Sequence, residues 1–200
     1  MSPASEPWAS GGGIWEAETP HGPGFKVVAT PEMTTPWGGK TAFLADVGHL
    51  VRGAGYTEDW SGMFMFPAAG NPDGFPRTWH SGVLWEFHTA SASGHHIAID
   101  NSSFATPRFR VGVHDPRVVG EYRFVYGSRG IDFDRWIPWR MRVKWSYGDD
   151  GFIQVWVDGE LLADFTGPTL KQGESPYLQF GYYATEQLRN EVWHAAVRKS

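Results

Sequence analysis

Several features are missing from this 200-residue chain, and each absence excludes a class of function. There is no cysteine, which excludes disulfides, thiolate catalysis and cysteine-ligated zinc. The formal net charge is −5 and lysine and arginine form no run, so we do not expect a nucleic-acid partner. No apolar stretch reaches the roughly 18 residues of a membrane-spanning helix, so we expect no membrane span. Glycine-rich phosphate loops and the G-x-S-x-G nucleophile motif are also missing.

The first residues, MSPASEPWASGGG, lack the basic and apolar segments that a secretory signal needs. We interpret residues 1–13 as a flexible lead-in and predict that residues 14–200 form a single domain. The lead-in is a candidate connection to a larger assembly.

Turn-forming and aromatic residues are abundant, with 25 Gly, 14 Pro and 11 Trp. Short segments of strand-like alternation are separated by Gly/Pro turns, and no segment of 10 or so residues shows a helical period. GDDG (148–151) and DG (158–159) are typical of tight hairpin turns. The pattern predicts an all-β fold, a two-sheet antiparallel β-sandwich of the jelly-roll, concanavalin A-like type, with roughly ten to twelve strands.

Polar residues share one face on two of the predicted strands. Alternate residues of a strand point to the same face, so GVLWEFHT (82–89) places Glu86 and His88 together, with Leu84 beside them and Val83 on the opposite face. In the same way PYLQFGYYA (176–184) places Tyr177, Gln179 and Tyr183 around Gly181. Neighbouring rows of this kind would line an elongated groove.

A third candidate row lies on FIQVWVDG (152–159), where Gln154 and Trp156 share a face. An aromatic ring that stacks while its N–H or O–H group bonds to a ligand suits sugar binding. We therefore expect the partner of such a groove to be a polysaccharide or surface glycan. No metal site is expected, because the adjacent residues His95 and His96 point apart on a strand.

The order of several segments along the chain resembles that of a known family. GK (39–40), DWSGMFMFP (59–67), LWEFH (84–88), VKWSYGDDGFIQVWVDG (143–159) and YLQFGYY (177–183) occur in the order seen in the jelly-roll polysaccharide lyases. These are the heparin-lyase-like and alginate-lyase-like families with a concanavalin A-type sandwich. The resemblance covers roughly residues 24–198, and the last two segments carry most of it.

The resemblance implies β-elimination on a uronate-containing glycan without a cofactor. It implies that His88 is the base or neutralises the substrate carboxylate, and that Tyr183 is the proton donor and a second candidate for the base. Glu86 stands where the family has an amide, and Gln179 stands where it has a lysine. Both departures make the expected groove less cationic.

Two other functions are open on the same scaffold, because one fold hosts many functions. One is a non-catalytic glycan-binding or adhesion module. The other is a structural protein of a virion, such as a phage tail or decoration protein. An extracellular or virion-associated location is expected for either, since release by lysis needs no export signal. In the simplest structural interpretation Glu86 is a paired, solvent-facing residue and His88 a hydrogen-bonded structural histidine.

Overall fold

The computed structural model describes residues 12–33, 40–46, 51–77, 82–88, 93–118, 122–184, 186 and 188–200. Within these ranges there are thirteen β-strands and one short 3-10 helix, Ala68–Gly70. The strands are β1 Gly13–Thr19, β2 Gly22–Ala29, β3 Lys40–Asp46, β4 Thr57–Met65, β5 Val83–His88, β6 Ser93–Asp100, β7 Arg108–His114, β8 Tyr122–Gly130, β9 Ile137–Lys144, β10 Phe152–Val157, β11 Glu160–Thr166, β12 Tyr177–Ala184 and β13 Asn190–Lys199. No helix in the described ranges is long and apolar enough to cross a membrane.

The strands form two sheets whose pairings are antiparallel throughout. One sheet has seven strands in the order β1-β2-β13-β4-β9-β10-β11, and the other has six in the order β3-β12-β5-β6-β7-β8. The predicted two-sheet antiparallel sandwich is therefore confirmed. Residues 1–11 lie outside the described ranges, so the flexible lead-in, its proposed role in assembly and the domain boundary at residue 14 stay predictions.

Alternation along each strand decides which side chains fill the space between the sheets. In β9, Trp139, Met141 and Val143 are buried, whereas Arg140 and Arg142 point outward. Burying one face of a strand and solvating the other is the usual arrangement in sandwiches. The core then consists of aromatic and branched side chains from both sheets, as where Trp85 of β5 meets Trp139 at a ring-centroid distance of 5.2 Å.

A β-bulge interrupts the alternation in β5 and corrects one expectation from the sequence. Leu84 and Trp85 are adjacent, yet both lie in the core. The register shifts between Val83 and Trp85, and Val83 lies opposite Tyr183 on β12. A bulge places two residues of one strand against one of its neighbour, so residues beyond it change face. The prediction that Leu84 shares the face of Glu86, and that Val83 lies on the opposite face, was therefore wrong.

Glu58 of β4 carries a buried carboxylate in the sandwich, where it is only 1% exposed. Its oxygens accept hydrogen bonds from the indole N–H groups of Trp145, at 2.9 Å, and Trp60, at 3.3 Å. The backbone N–H of Arg52 donates a third at 2.9 Å, and the ammonium group of Lys199 forms an ion pair with it. Burial alone would raise the pKa of Glu58, but these partners outweigh it and hold the pKa below its usual range.

Candidate functional site

Strands β5 and β12 are hydrogen-bonded neighbours inside the six-stranded sheet. In their register His88 lies opposite Tyr177, and Glu86 lies opposite Gln179. Residues directly opposite each other in an antiparallel pair point to the same face. We call the outward-facing group Glu86, His88, Tyr177, Gln179 and Tyr183 the β5/β12 site. All five side chains are partly exposed, and four of them form two adjacent cross-strand pairs.

Tyr177 and His88 are in direct contact at one end of the β5/β12 site. The Tyr177 hydroxyl oxygen lies 2.9 Å from Nδ1 of His88, within hydrogen-bonding distance, and the ring centroids are 5.2 Å apart. A hydrogen bond to one imidazole nitrogen fixes the ring and determines the tautomer, and so the role of the other nitrogen. The pair therefore has the arrangement of a proton-transfer group, a phenol beside an imidazole.

Tyr183 lies at the other end of the site, six residues beyond Tyr177 on β12. At roughly 3.3 Å per residue, the Cα atoms of these two tyrosines are on the order of 15–20 Å apart. Burial raises the pKa of Tyr183, and the negative charge of Glu86 raises it further. The family resemblance implies that Tyr183 and His88 act together as acid and base. In the structure the tyrosine beside His88 is Tyr177, because β5 and β12 run antiparallel in this register.

Gln154 and Trp156 do not join the β5/β12 site. They lie on β10, in the seven-stranded sheet, and face outward on the other side of the sandwich. The Gln154 amide donates a hydrogen bond to Oδ1 of Asp164 at 3.1 Å, and the guanidinium of Arg140 stacks over the Trp156 ring at 5.1 Å. The expected third row of the groove was therefore wrong, because β10 pairs with β9 and β11 and not with β5 or β12.

The row through Glu86 continues across the six-stranded sheet to two residues outside the predicted groove. His96 lies opposite Glu86, and Gly112 lies opposite His96. The His96 ring lies over Gly112 so closely that a Cβ atom there would be 2.2 Å from the imidazole. The alternation of RFRVGVH (108–114) is consistent with Gly112 on the polar face of β7, but which imidazole covers it depends on the pairing of β6 with β7.

An arginine on the same face of β7 was also missed. Arg110 is 2% exposed, and its guanidinium lies 3.4 Å from the carboxylate of Asp100, which is 1% exposed. Its charged group also stacks over the ring of Phe124 at 4.9 Å. Burial lowers the pKa of Arg110, and the charge of Asp100 acts in the opposite direction. Arg110 is thus a buried, paired cation rather than one presented to a ligand.

A second buried histidine lies beneath the site. Nε2–H of His194, on β13 of the opposite sheet, donates a hydrogen bond to the backbone carbonyl of Gly181 on β12 at 2.8 Å. The ring stacks on Phe25 with centroids 4.6 Å apart. Burial lowers the pKa of His194 to about 3, so the ring is neutral at ordinary pH. The acceptor of this hydrogen bond, Gly181, lies on β12 between the two tyrosines, two residues before Tyr183 and four after Tyr177.

Potential metal ligands do not cluster in the described part of the chain. No three His, Asp or Glu side chains there lie close enough together to hold a metal ion. The loop carboxylates Asp132 and Asp134 both have protein partners. Asp132 accepts a hydrogen bond from Arg135 at 3.0 Å, and Asp134 accepts one from the backbone N–H of Ala68 at 3.0 Å.

Comparison with known proteins supports the resemblance drawn from the sequence. Residues 120–198 match the family model described as polysaccharide lyase. The chain resembles the polysaccharide lyases. The matched range includes β12, with Tyr177, Gln179 and Tyr183. It begins at residue 120 and therefore does not include β5. No curated protein sequence matches the chain.

Solved structures of polysaccharide lyases share the fold of this lyase-like chain. The endo-β-1,4-glucuronan lyase of the fungus Trichoderma reesei aligns with a TM-score of 0.67 at 14% identity, over 94% of this chain and 86% of that one. An alginate lyase from Klebsiella pneumoniae aligns at 0.63 and 9% identity, over 93% and 84%. An alginate lyase from Pseudomonas aeruginosa aligns at 0.61 and 12% identity, over 93% and 85%. At these identities the likeness establishes the jelly-roll fold.

Proposed function

We propose that this chain is a polysaccharide lyase that cleaves a uronate-containing glycan by β-elimination at the β5/β12 site. The observation that carries the proposal is the contact between the Tyr177 hydroxyl and Nδ1 of His88, because it holds a proton-transfer pair on an outward face. The relatives in fold are named for activity on glucuronan and alginate, both polymers of uronic acids, which supports a substrate of this class.

The reaction needs a base, an acid and an activated C–H bond. The base removes the proton at C5, next to the carboxyl group, and the electron pair forms the C4=C5 double bond. The C4–O4 bond breaks, its electron pair stays on O4, and O4 takes up a proton. In the proposed roles Nδ1–H of His88 donates to Tyr177, which leaves Nε2 with a lone pair that accepts the C5 proton. The Tyr177 oxygen then stabilises the imidazolium that forms.

The proton donor to O4 is a tyrosine hydroxyl, and two candidates flank the site. Tyr177 is favoured by its position beside His88, since acid and base serve adjacent atoms of one sugar unit. Tyr183 is favoured by the family resemblance, and its raised pKa keeps the hydroxyl protonated and able to donate. Glu86 and Gln179 lie between the two tyrosines and would contact the sugar chain.

An activity assay on a panel of uronate polymers tests the proposal. We expect at least one of alginate, polyglucuronate, polygalacturonate and hyaluronan to gain the ultraviolet absorbance of an unsaturated uronate. His88→Ala should abolish that signal, while Tyr147→Phe should leave it unchanged, because Tyr147 is exposed in the turn region after β9. Tyr183→Phe then identifies the donor. A signal that survives His88→Ala, or no signal on any polymer, contradicts the lyase proposal.

A non-catalytic glycan-binding module is the second candidate function. The Glu86–Gln179 pair favours it, because a carboxylate opposite an amide forms hydrogen bonds to sugar hydroxyls without supplying the positive charge that a uronate transition state needs. Binding on a glycan array without cleavage of any polymer is the result that would select it. Absence of both binding and cleavage would instead select a structural role, such as that of a virion protein.

A further inference from the structure

Two tryptophans and a lysine form a row across the outer face of the seven-stranded sheet, away from the β5/β12 site. Trp15 of β1 lies opposite Lys26 of β2, and Lys26 lies opposite Trp193 of β13. Residues directly opposite each other in antiparallel strands point to the same face. That face is the outer one, because the neighbours of Lys26 in β2, Phe25 and Val27, belong to the core or pack against it. We call Trp15, Lys26 and Trp193 the outer-face row.

The lysine of the outer-face row is held between the two indole rings. Its ammonium nitrogen lies 5.1 Å from the centroid of the Trp15 ring and 5.9 Å from that of the Trp193 ring, which are cation–π distances. Strand spacing puts the two tryptophans roughly 9–10 Å apart. Trp15 is 37% exposed, and Lys26 and Trp193 are half-buried, so part of each side chain is open to a ligand.

The Trp193 ring is oriented by the protein itself. Its indole N–H group donates a hydrogen bond to Oε1 of Glu191 at 2.6 Å, which engages that carboxylate. The backbone N–H of Glu191 in turn donates to Oδ1 of Asn71 at 3.1 Å. A ring that is fixed before binding loses less conformational entropy when a ligand stacks on it.

Lys26 differs in its charge balance from another stacked cation of the same face. The guanidinium of Arg140 stacks over the Trp156 ring at 5.1 Å, and it also forms an ion pair with Asp59 at 2.6 Å. Among the residues that the structure describes, no carboxylate forms an ion pair with Lys26. The outer-face row therefore presents a positive charge between two apolar rings. This combination is complementary to a sugar chain that carries carboxylates.

We propose that the outer-face row is a non-catalytic binding site for a uronate-containing polysaccharide. Sugar rings stack on Trp15 and Trp193, and the carboxylate of the bound chain pairs with the ammonium group of Lys26. The class of polymer rests on the proposed function, but binding at the row needs no catalysis. The row and the β5/β12 site lie on different sheets and face away from each other, so the row holds a polymer without blocking the β5/β12 site.

Affinity electrophoresis through gels that contain a polymer tests the proposal. All proteins carry His88→Ala, so that the polymer is not consumed. The gels contain alginate, polyglucuronate, polygalacturonate or hyaluronan, with hydroxyethyl cellulose as the neutral comparison. We expect Trp15→Ala to raise the Kd for at least one uronate polymer by about fivefold, the effect of losing one stacked ring. Lys26→Gln should raise that Kd by about threefold and leave binding of the neutral polymer unchanged.

The matched control is Trp156→Ala, on the same face of the sheet, where Arg140 covers the ring; it should leave the Kd unchanged. Urea unfolding of each variant checks the fold. Lys26→Gln keeps both indoles, so it decides the question if Trp15→Ala does not fold.

The outcomes separate this proposal from the lyase proposal. Binding of a uronate polymer that neither Trp15→Ala nor Lys26→Gln weakens overturns the outer-face site, and so does the absence of binding to every uronate polymer. A lower urea midpoint with an unchanged Kd means that the row only stabilises the sheet, which also overturns it. An equal effect of Lys26→Gln on the neutral polymer overturns the choice of an anionic glycan. If the unaltered protein cleaves no polymer, the lyase proposal alone fails, and weaker binding in Trp15→Ala still supports the site.

Discussion

The hydroxyl of Tyr177 and Nδ1 of His88 lie 2.9 Å apart across the β5–β12 pair. A hydrogen bond of this kind holds one nitrogen of the imidazole and so determines the tautomer and the role of the other nitrogen. The two residues are far apart in the sequence, with 88 residues between them. Their contact therefore depends on the register in which β5 and β12 pair.

Tyr177→Phe removes the hydroxyl while keeping the ring. We expect kcat to fall by about 10²-fold, in the range typical of a lost proton-transfer group, with a smaller change in KM. The pH profile of kcat should also shift, because the imidazole loses the partner that fixes its tautomer. Steady-state kinetics on the polymer identified in the panel measures both, with Tyr147→Phe as control. An unchanged kcat and pH profile would show that the hydroxyl is only structural.

Two histidines in the described part of the chain are fully buried, and they predict that stability falls on mild acidification. Burial lowers the pKa of both His95 and His194 from about 6.5 to about 3. Between these values the unfolded chain binds protons that the folded chain does not, so stability rises with pH through this window and is lost as the pH falls. Each histidine contributes at most about 1.4 kcal/mol per pH unit.

Urea unfolding at about pH 7, 6 and 5 measures this slope, above the range where carboxylates titrate. His194→Gln keeps an N–H donor for the Gly181 carbonyl but cannot take up a proton, so its slope should be shallower by about one proton. His21→Gln, at an exposed position, is the control substitution. A slope unaffected by His194→Gln would contradict the neutral, buried state.

Glu58→Ala should destabilise the fold strongly. The substitution leaves two buried indole N–H groups and the ammonium of Lys199 without their acceptor, a loss of about 3–5 kcal/mol by analogy with broken buried ion pairs. Since the folded pKa of Glu58 is depressed, its contribution is present above the unfolded value near 4.5 and is lost as the pH falls through the folded value. Urea unfolding measures the loss, and Asp59→Ala, at the neighbouring outward position, should cost far less.

Gly112→Ala tests the packing of His96 over β7. The added methyl group would meet the imidazole at 2.2 Å, so the ring must move, and we expect a loss of about 1–3 kcal/mol in stability. Gly127→Ala on the neighbouring strand is the matched control, because the nearest atom to its Cβ would be 3.7 Å away. Equal effects of the two substitutions on the urea midpoint would mean that His96 is not held there.

Local pattern predicted the fold well because the information it needs is local. A period of two in segments such as 137–144 identifies strands and their buried faces, and Gly/Pro turns mark their ends. The same reasoning correctly put Glu86 with His88 and Tyr177 with Gln179 on shared faces. Alternation along a strand does not show which strands pair with each other. The pairing places Gln154 and Trp156 in the seven-stranded sheet, away from the β5/β12 site.

The tyrosine beside His88 illustrates the same limit on a finer scale. Tyr177 and Tyr183 have the same parity on β12, so alternation alone treats them alike. Their distances from His88 are decided by the register with β5 and by the bulge at Leu84, both of which result from the packing of the whole sheet. The burial of Arg110 was not predicted for a related reason. Its ion-pair partner Asp100 lies on another strand, so the pair depends on how β6 and β7 are paired.

The bond from His194 to Gly181 makes the outer face of one sheet depend on the inner face of the other. A residue on β13 that never contacts solvent thereby anchors the stretch of backbone between Tyr177 and Tyr183. Selection for a new glycan preference would then act on residues of both sheets. Substitutions of Phe25 or His194 would shift the backbone at Gly181 and with it the positions of Tyr177 and Tyr183. A mutant library that varies only surface residues would omit these buried positions.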